Sequence, residues 1–236
     1  MSLPLLLTRP RHQAEEFAIT LEAALPGRFD VVAAPLIETV SEEASIMLDG
    51  VQALLFSSAN AVREFAARTS ERHLPALCVG DKTAQTASAL GFGTQSAQGD
   101  VAALAELAAI SYLEGAGHYL YLRGRQSAGD LSGSLLAQGI MVDEAVLYHQ
   151  DPVPLSPQAL ALLAQPQPVV APVFSPNAGH RLTAELAACA HQRQAPLAIV
   201  AISQNAASAC AEIPGAEVYV APQPDAIGIL SILSGF

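Results

Sequence analysis

The sequence predicts an α/β chain of two similar lobes, each a mostly parallel sheet flanked by helices, joined by a pair of extended linkers. Three observations predict it. Short continuous apolar runs alternate with helix-like stretches along most of the 236 residues, the pattern of parallel strands covered on both faces. About ten such runs are many for one sheet in a chain of this length, which favours two domains. The chain also repeats itself: "FSSAN" at 56–60 and "FSPN" at 174–177 each follow an apolar run and open a helix-like segment.

The elements follow in order. "LPLLLT" (3–8) reads as a strand, and "RHQAEEFAITLEAAL" as a helix with Phe17, Leu21 and Leu25 on one face, stopped by "PG" at 26–27. "FDVVAAPLIETV" reads as a strand. "VQALLFSS" (51–58) is a strand before the helix "ANAVREFAART"; "LPALCVG" (74–80) is a strand before "DKTAQTASALG", a helix stopped by Gly91. "HYLYLRG" (118–124) is a strand, "SAGDLSGSLLAQG" a weaker helix, and "IMVDEAVLYHQ" (140–150) a long strand. "PVVAPVFS" (168–175) precedes the helix "AGHRLTAELAACA". "APLAIVAIS" (195–203), "EVYVAP" (217–222) and a helix from about Asp225 complete the chain.

These elements sort into two patterns. Strand, Arg turn, helix, Gly, strand describes both "LLLTRPRHQAEEF" with its continuation and "YLYLRGRQSAGDL" with its own, so Arg9 and Arg11 align with Arg123 and Arg125. Strand, "FS" turn, helix, strand, polar turn, helix describes "LLFSSANAV" onward and "PVFSPNAGH" onward. With the first pattern called A and the second B, the order A-B-A′-B′ reads as a duplication. If B shares a sheet with A′, then A shares one with B′. The expected division is a discontinuous first lobe, 1–34 and 151–236, an inserted second lobe, 39–146, and linkers at 35–38 and 147–150. Both crossings are extended and flanked by proline ("APLIET", "LYHQDPVP").

Composition narrows the function. A net charge of −11 argues against nucleic acid, whose phosphates are held by cations. No apolar run reaches the ~18 residues of a membrane helix. "MSLPLLLTRP" lacks the basic region of a secretory signal. Cys78, Cys189 and Cys210 are far apart, against a disulfide scaffold or zinc site and for a reducing compartment. The expectation is a cytoplasmic protein. There is no GxGxxG after a strand, no GxxxxGK[ST], no HExxH and no GxSxG. The histidines are scattered, with His149 beside Tyr148 in a linker. Neither a nucleophile–base pair nor a general acid is apparent, so an enzyme of this sequence works by shaping its substrate.

Ligands of open parallel sheets sit beyond the C-terminal strand ends. The residues there are Thr8 and Arg9; Ser57, Ser58 and Asn60; Gly80, Asp81, Lys82 and Thr83; Arg123, Gly124 and Arg125; Ser175 and Asn177; Ser203, Gln204 and Asn205. Most open helices, where free N–H groups and the helix dipole favour anions. For any one of them the alternative is plain N-capping. Together, on two facing rims, they predict a site for carboxylates or phosphates held largely by backbone amides. Lys82 (the single lysine) and the strand-end arginines add local positive potential, or are solvated surface charge.

"LLLTRP", "LLFSSANAV", "CVGDKTAQTASALGF", "YLRG", "AVLYHQ" and "VFSPNAGHRL" together resemble the uroporphyrinogen-III synthase family, in order and spacing over nearly the whole chain. The second half departs from it: "ISQNAA" puts Ser203 and Ala206 where the family often has a Gly…Thr-Ala turn. The resemblance implies a two-lobed fold, and a lyase that cyclises hydroxymethylbilane with loss of water and inversion of the last pyrrole ring. No metal or organic cofactor is implied. Tyr148 matches the family tyrosine proposed to help the hydroxyl leave, and otherwise is a packing residue. Thr83 matches a cleft threonine. The substrate's carboxylates then fall to Arg9, Ser57, Ser58, Asn60, Gly80, Lys82, Thr83, Arg123, Ser175, Asn177 and Ser203. The expected partners are this small tetrapyrrole and, transiently, the enzyme supplying it; the expected state is a monomer, touching neither nucleic acid nor membrane. Two alternatives stand beside this one: a two-lobed binding protein without turnover, and a nucleotide or sugar-phosphate enzyme using the same helix N-termini.

Overall fold

The computed structural model describes residues 2–126 and 129–236. The chain divides into two compact units, residues 1–38 with 152–236, and residues 39–151.

The first unit is built on a sheet of β1 (Leu3–Leu7), β2 (Phe29–Ala33), β9 (Val169–Val173), β10 (Leu197–Ala201) and β11 (Ala216–Val220), in the order β11-β10-β9-β1-β2. Its pairings are parallel. Successive side chains leave a strand on opposite faces, and the core divides accordingly. Leu6, Val169, Ala171, Ile199 and Ala201 pack with α6 (Pro157–Leu163), α7 (Pro176–Ala188) and α8 (Gln204–Ser208). Leu5, Leu7, Val170 and Val200 pack on the other face with α1 (Arg11–Ala24) and α9 (Ala226–Leu233). Strands buried on both faces read as unbroken apolar runs, as β9 does.

Among the described residues, the second unit has six strands in the order β3-β8-β7-β4-β5-β6: β3 (Ile37–Ser41), β4 (Val51–Phe56), β5 (Ala76–Cys78), β6 (Thr94–Ser96), β7 (His118–Gly124) and β8 (Val142–Pro152). Leu54, Phe56, Leu120 and Leu122 face α2 (Ala59–Arg68) and α3 (Asp81–Ala89). Ala53, Leu55, Tyr119 and Tyr121 face α4 (Val101–Ser111) and α5 (Leu131–Leu136).

Two expectations at the level of elements change. The extended run 29–40, expected as one strand, is two strands in two sheets: β2 ends at Ala33, and β3, from Ile37, belongs to the other sheet. The spans 35–38 and 147–150 include extended chain: Ile37 and Glu38 belong to β3, and residues 147–150 lie within β8. The weak helix starts at Leu131, capped by the Asp130 carboxylate on the Gly133 N–H at 2.8 Å; Ser127 and Ala128, where it was expected to begin, lie outside the described residues.

Candidate functional site

In the second unit, the C-terminal strand ends bring together most of the residues singled out in the sequence. β4 ends in the Ser57–Ser58 turn. Ser58 caps α2, its Oγ accepting the Ala61 N–H at 3.1 Å. The same Oγ lies 2.8 Å from the Tyr148 hydroxyl, so one serine links a helix N-terminus to a phenol. Tyr148 stands on β8 and is 7% exposed. Its ring rests on Gly124, at the end of β7, where a Cβ would come within 2.7 Å of Tyr148 Cζ. Beside this pair, the Tyr121 hydroxyl donates to Ser57 Oγ at 2.9 Å. Burial pushes the Tyr121 phenol up from its ordinary pKa, and Ser57's hydrogen bond only partly offsets this.

Gly80 caps α3 with extended backbone that any residue adopts. Thr83 is buried in the first turn of that helix, whereas Lys82 is exposed. The Asn60 amide donates to Thr39 Oγ1 at 3.4 Å and its Oδ1 accepts from Arg63 at 3.3 Å. Arg123 has internal partners: its Nε meets Glu144 at 2.7 Å and its Nη1 donates to the carbonyls of Gly124 and Arg125. Ser132 also hydrogen-bonds Glu144.

A polar group that sequence reasoning did not anticipate adjoins these strand ends. Glu42 Oε1 receives Arg125 Nε at 2.7 Å and faces His149 Nδ1 at 3.1 Å; His149 Nε2 faces Asp151 at 3.3 Å. Arg125's hydrogen bond, more than any other influence, holds the Glu42 carboxyl below the usual carboxylate range. Tyr121 and Glu42 carry no local signal, since their partners Ser57 and His149 are 64 and 107 residues distant.

In the first unit, Arg9 follows β1. Its guanidinium lies 3.9 Å from the centroid of the Phe174 ring, and Nη2 donates to Gln13 at 3.0 Å. Its Nε is buried without a partner among the described residues, and burial lowers its pKa. Ser175 caps α7 through the Ala178 N–H at 3.1 Å, and Ser203 caps α8 through the Ala206 N–H at 3.3 Å. Asn177 is exposed in the first turn of α7. These caps leave other first-turn N–H groups without intrahelical partners.

Chemically, the second unit offers a mostly buried phenol paired with a serine, close to helix N-termini that favour negative charge. Among the described residues, no group of three or more His, Cys, Asp or Glu is arranged to hold a metal ion. Nor is any helix long and apolar enough to cross a membrane.

The family model described as "Uroporphyrinogen-III synthase HemD" matches residues 20–231. No curated protein matches the chain. The crystal structure of uroporphyrinogen-III synthetase from Helicobacter pylori is similar over 100% of this chain and 99% of that chain, at 18% identity and a TM-score of 0.61; it bears on the fold. A mutant uroporphyrinogen III synthase from the extremely thermophilic bacterium Thermus thermophilus aligns over 100% of this chain and 97% of that one, at 17% identity and a TM-score of 0.46. With the family model spanning all but the two ends, the chain belongs to the uroporphyrinogen-III synthase family and is an enzyme of that kind, a cyclising lyase acting on a tetrapyrrole.

Proposed function

We propose that Tyr148 is the proton donor in the closure of hydroxymethylbilane to uroporphyrinogen III. The lone pair of the terminal pyrrole nitrogen expels the hydroxyl of the hydroxymethyl group. The C–O bond breaks as the leaving oxygen takes the phenolic proton and departs as water. The carbon fragment is the N-protonated azafulvene, which keeps its pyrrole N–H; attack of the last ring on its methylene carbon returns the electron pair to that nitrogen, and closure passes through a spiro intermediate that inverts the last ring. The closed macrocycle releases a proton when its last pyrrole regains aromaticity, and that proton restores the phenol.

The observation that carries this reading is the placement of a 7% exposed phenol 2.8 Å from Ser58 Oγ at the N-terminus of α2, in a chain of this family. The capping turns suit a substrate with eight carboxylates, since each charge-assisted contact to a backbone amide or hydroxyl is modest and many add. Ser57, Asn60, Gly80, Lys82 and Thr83 serve in the second unit, and Ser58 serves there through its backbone N–H alone, since its Oγ is held by Ala61 and Tyr148. Arg9, Ser175, Asn177 and Ser203 serve in the first. Arg123 contributes through potential, because Glu144 occupies its Nε. The protein works in the cytoplasm as a monomer that meets the supplier of its short-lived substrate transiently.

The test is to generate hydroxymethylbilane in situ and identify the oxidised products. The linear substrate closes unaided to the type I isomer, so the expected result is type III in the presence of the protein. Type I alone sinks the assignment.

A further inference from the structure

We infer that Ser58 and Gly124 are positioning residues for Tyr148: Gly124 is the floor that seats the ring, and Ser58 is the partner that frees the phenolic proton and receives the charge left behind. This rests on the reading of Tyr148 as the proton donor.

The argument begins with hydroxyl valence. A serine hydroxyl has one hydrogen and two acceptor sites. Ser58 Oγ commits one acceptor site to the Ala61 N–H. Its 2.8 Å contact with Tyr148 runs in either direction. If the phenol donates, its proton is tied to Ser58, whose own hydrogen then has no side-chain acceptor among the described residues. If Ser58 donates, its hydrogen is satisfied and the phenolic proton is free to move to a leaving oxygen. The second direction also suits the product of that transfer. A phenolate at Tyr148 is acceptor-only, and it finds Ser58's O–H already 2.8 Å away. That donor is anchored by its capping bond to α2, a ten-residue helix whose N-terminus carries partial positive charge. A donor in place before charge develops costs no reorganisation during reaction.

Gly124 supplies the geometry. It is not in the left-handed region, so the backbone does not require glycine there. Space does. A Cβ at 124 would lie 2.7 Å from Tyr148 Cζ and 2.9 Å from both Cε2 and Oη, closer than real side chains approach. Any larger residue lifts the ring and with it the hydroxyl that Ser58 holds.

The test compares Tyr148→Phe, Ser58→Ala, Ser58→Thr, Gly124→Ala and the double variant Ser58→Ala/Tyr148→Phe in the full chain, on hydroxymethylbilane generated in situ, with thermal midpoints recorded for each. General acid catalysis contributes typically ~10²–10⁴-fold, so Tyr148→Phe is expected to lower kcat at least about tenfold. Ser58→Ala is expected to lower kcat about tenfold with KM changed less than about twofold, the signature of an interaction made in the transition state. Ser58→Thr keeps a capping hydroxyl and restores kcat. The double variant is expected to be no slower than Tyr148→Phe, because Ser58 acts through the phenol. Full multiplication of the two single losses, or a wild-type kcat in Ser58→Ala, overturns the positioning role while Tyr148 stands. A wild-type rate in Tyr148→Phe overturns the proton-donor reading and this inference with it. Gly124→Ala is expected to match Tyr148→Phe in kcat; where it fails to fold, the serine variants decide.

Discussion

Gly117 is a position where a single methyl group tests how β7 is held, and β7 carries Tyr121 and Gly124. Gly117 has φ +119°, and a Cβ added there would stand 1.9 Å from the carbonyl oxygen of Gly50 and 2.9 Å from its carbon. Real Cβ atoms keep at least 3.0 Å, so Gly117→Ala forces a displacement of about 1.1 Å (3.0 − 1.9) between two backbone segments. The same Gly50 oxygen accepts the His118 N–H at 2.9 Å, next to the Val51↔His118 pair with which β4 and β7 begin their register. The substitution therefore combines a disallowed backbone conformation, about 1–3 kcal/mol, with the loss of a hydrogen bond, about 0.5–1.5 kcal/mol. The sum is on the order of 2–4 kcal/mol. At about 2–4 °C per kcal/mol for a chain of this size, the thermal midpoint falls by roughly 4–16 °C. Gly27→Ala is the control. Its φ is +66° but nothing lies within 4 Å of the added Cβ, so it carries the conformational cost of about 1–2 kcal/mol alone. Hydrogen exchange is expected to localise the Gly117 effect to amides of β4 and β7, with those of β1, β9 and β10 protected as in wild type. A midpoint within about 1 °C of wild type would refute the steric reasoning.

Three further outcomes follow from the site and its surroundings. Cys78, Cys189 and Cys210 are all buried, and burial pushes the thiols of Cys78 to about 12 and Cys210 to about 11; none is expected to react with an aromatic disulfide at about pH 8 in the folded protein, whereas all react in denaturant. A fast-reacting thiol in the native state contradicts this. Glu42 has a folded pKa below its usual value of 4.5, so its stabilising contribution is present above that value and fades as pH falls through the folded one. Glu42→Gln is thus expected to lower the urea midpoint near neutral pH and to converge on wild type in acid; an equal deficit at both ends counts against the ion pair. Arg9→Met keeps an apolar stem beside Phe174 and removes the charge, and is expected to raise KM about tenfold or more, the equivalent of one charge-assisted hydrogen bond. An unchanged KM removes Arg9 from substrate binding.

The legible parts of the fold are those whose physics is local. β9 reads as a strand because every residue in it is buried. α1 reads as a helix because Ala14, Phe17 and Leu21 recur on one face. α4 escapes notice because "VAALAELAAIS" is apolar nearly all round and so has no 3.6-residue contrast to detect; Leu104, Ala105 and Ala108 are buried, yet Ile110 is 85% exposed. α6 is one short segment of seven residues. β6, "TQS", is three polar residues that are a strand only because β5 offers it a ladder.

The site divides along the same line. Capping serines announce themselves by sitting between an apolar run and a helical period, and Ser58, Ser175 and Ser203 each accept an N–H three residues on. What the caps touch on their other side is set by register across strands, and one irregularity decides it. Arg123 pairs with Val146, but Gly124 pairs with Tyr148, so β8 carries an extra residue at this point. Strict alternation would turn either Leu147 or Tyr148 outward. Instead both are buried in the same cluster. The bulge re-aims one side chain at the end of a strand, bringing the phenol over a glycine and against Ser58. Nothing in "AVLYHQ" or "YLRG" taken singly encodes that offset; it exists only in the pairing of the two.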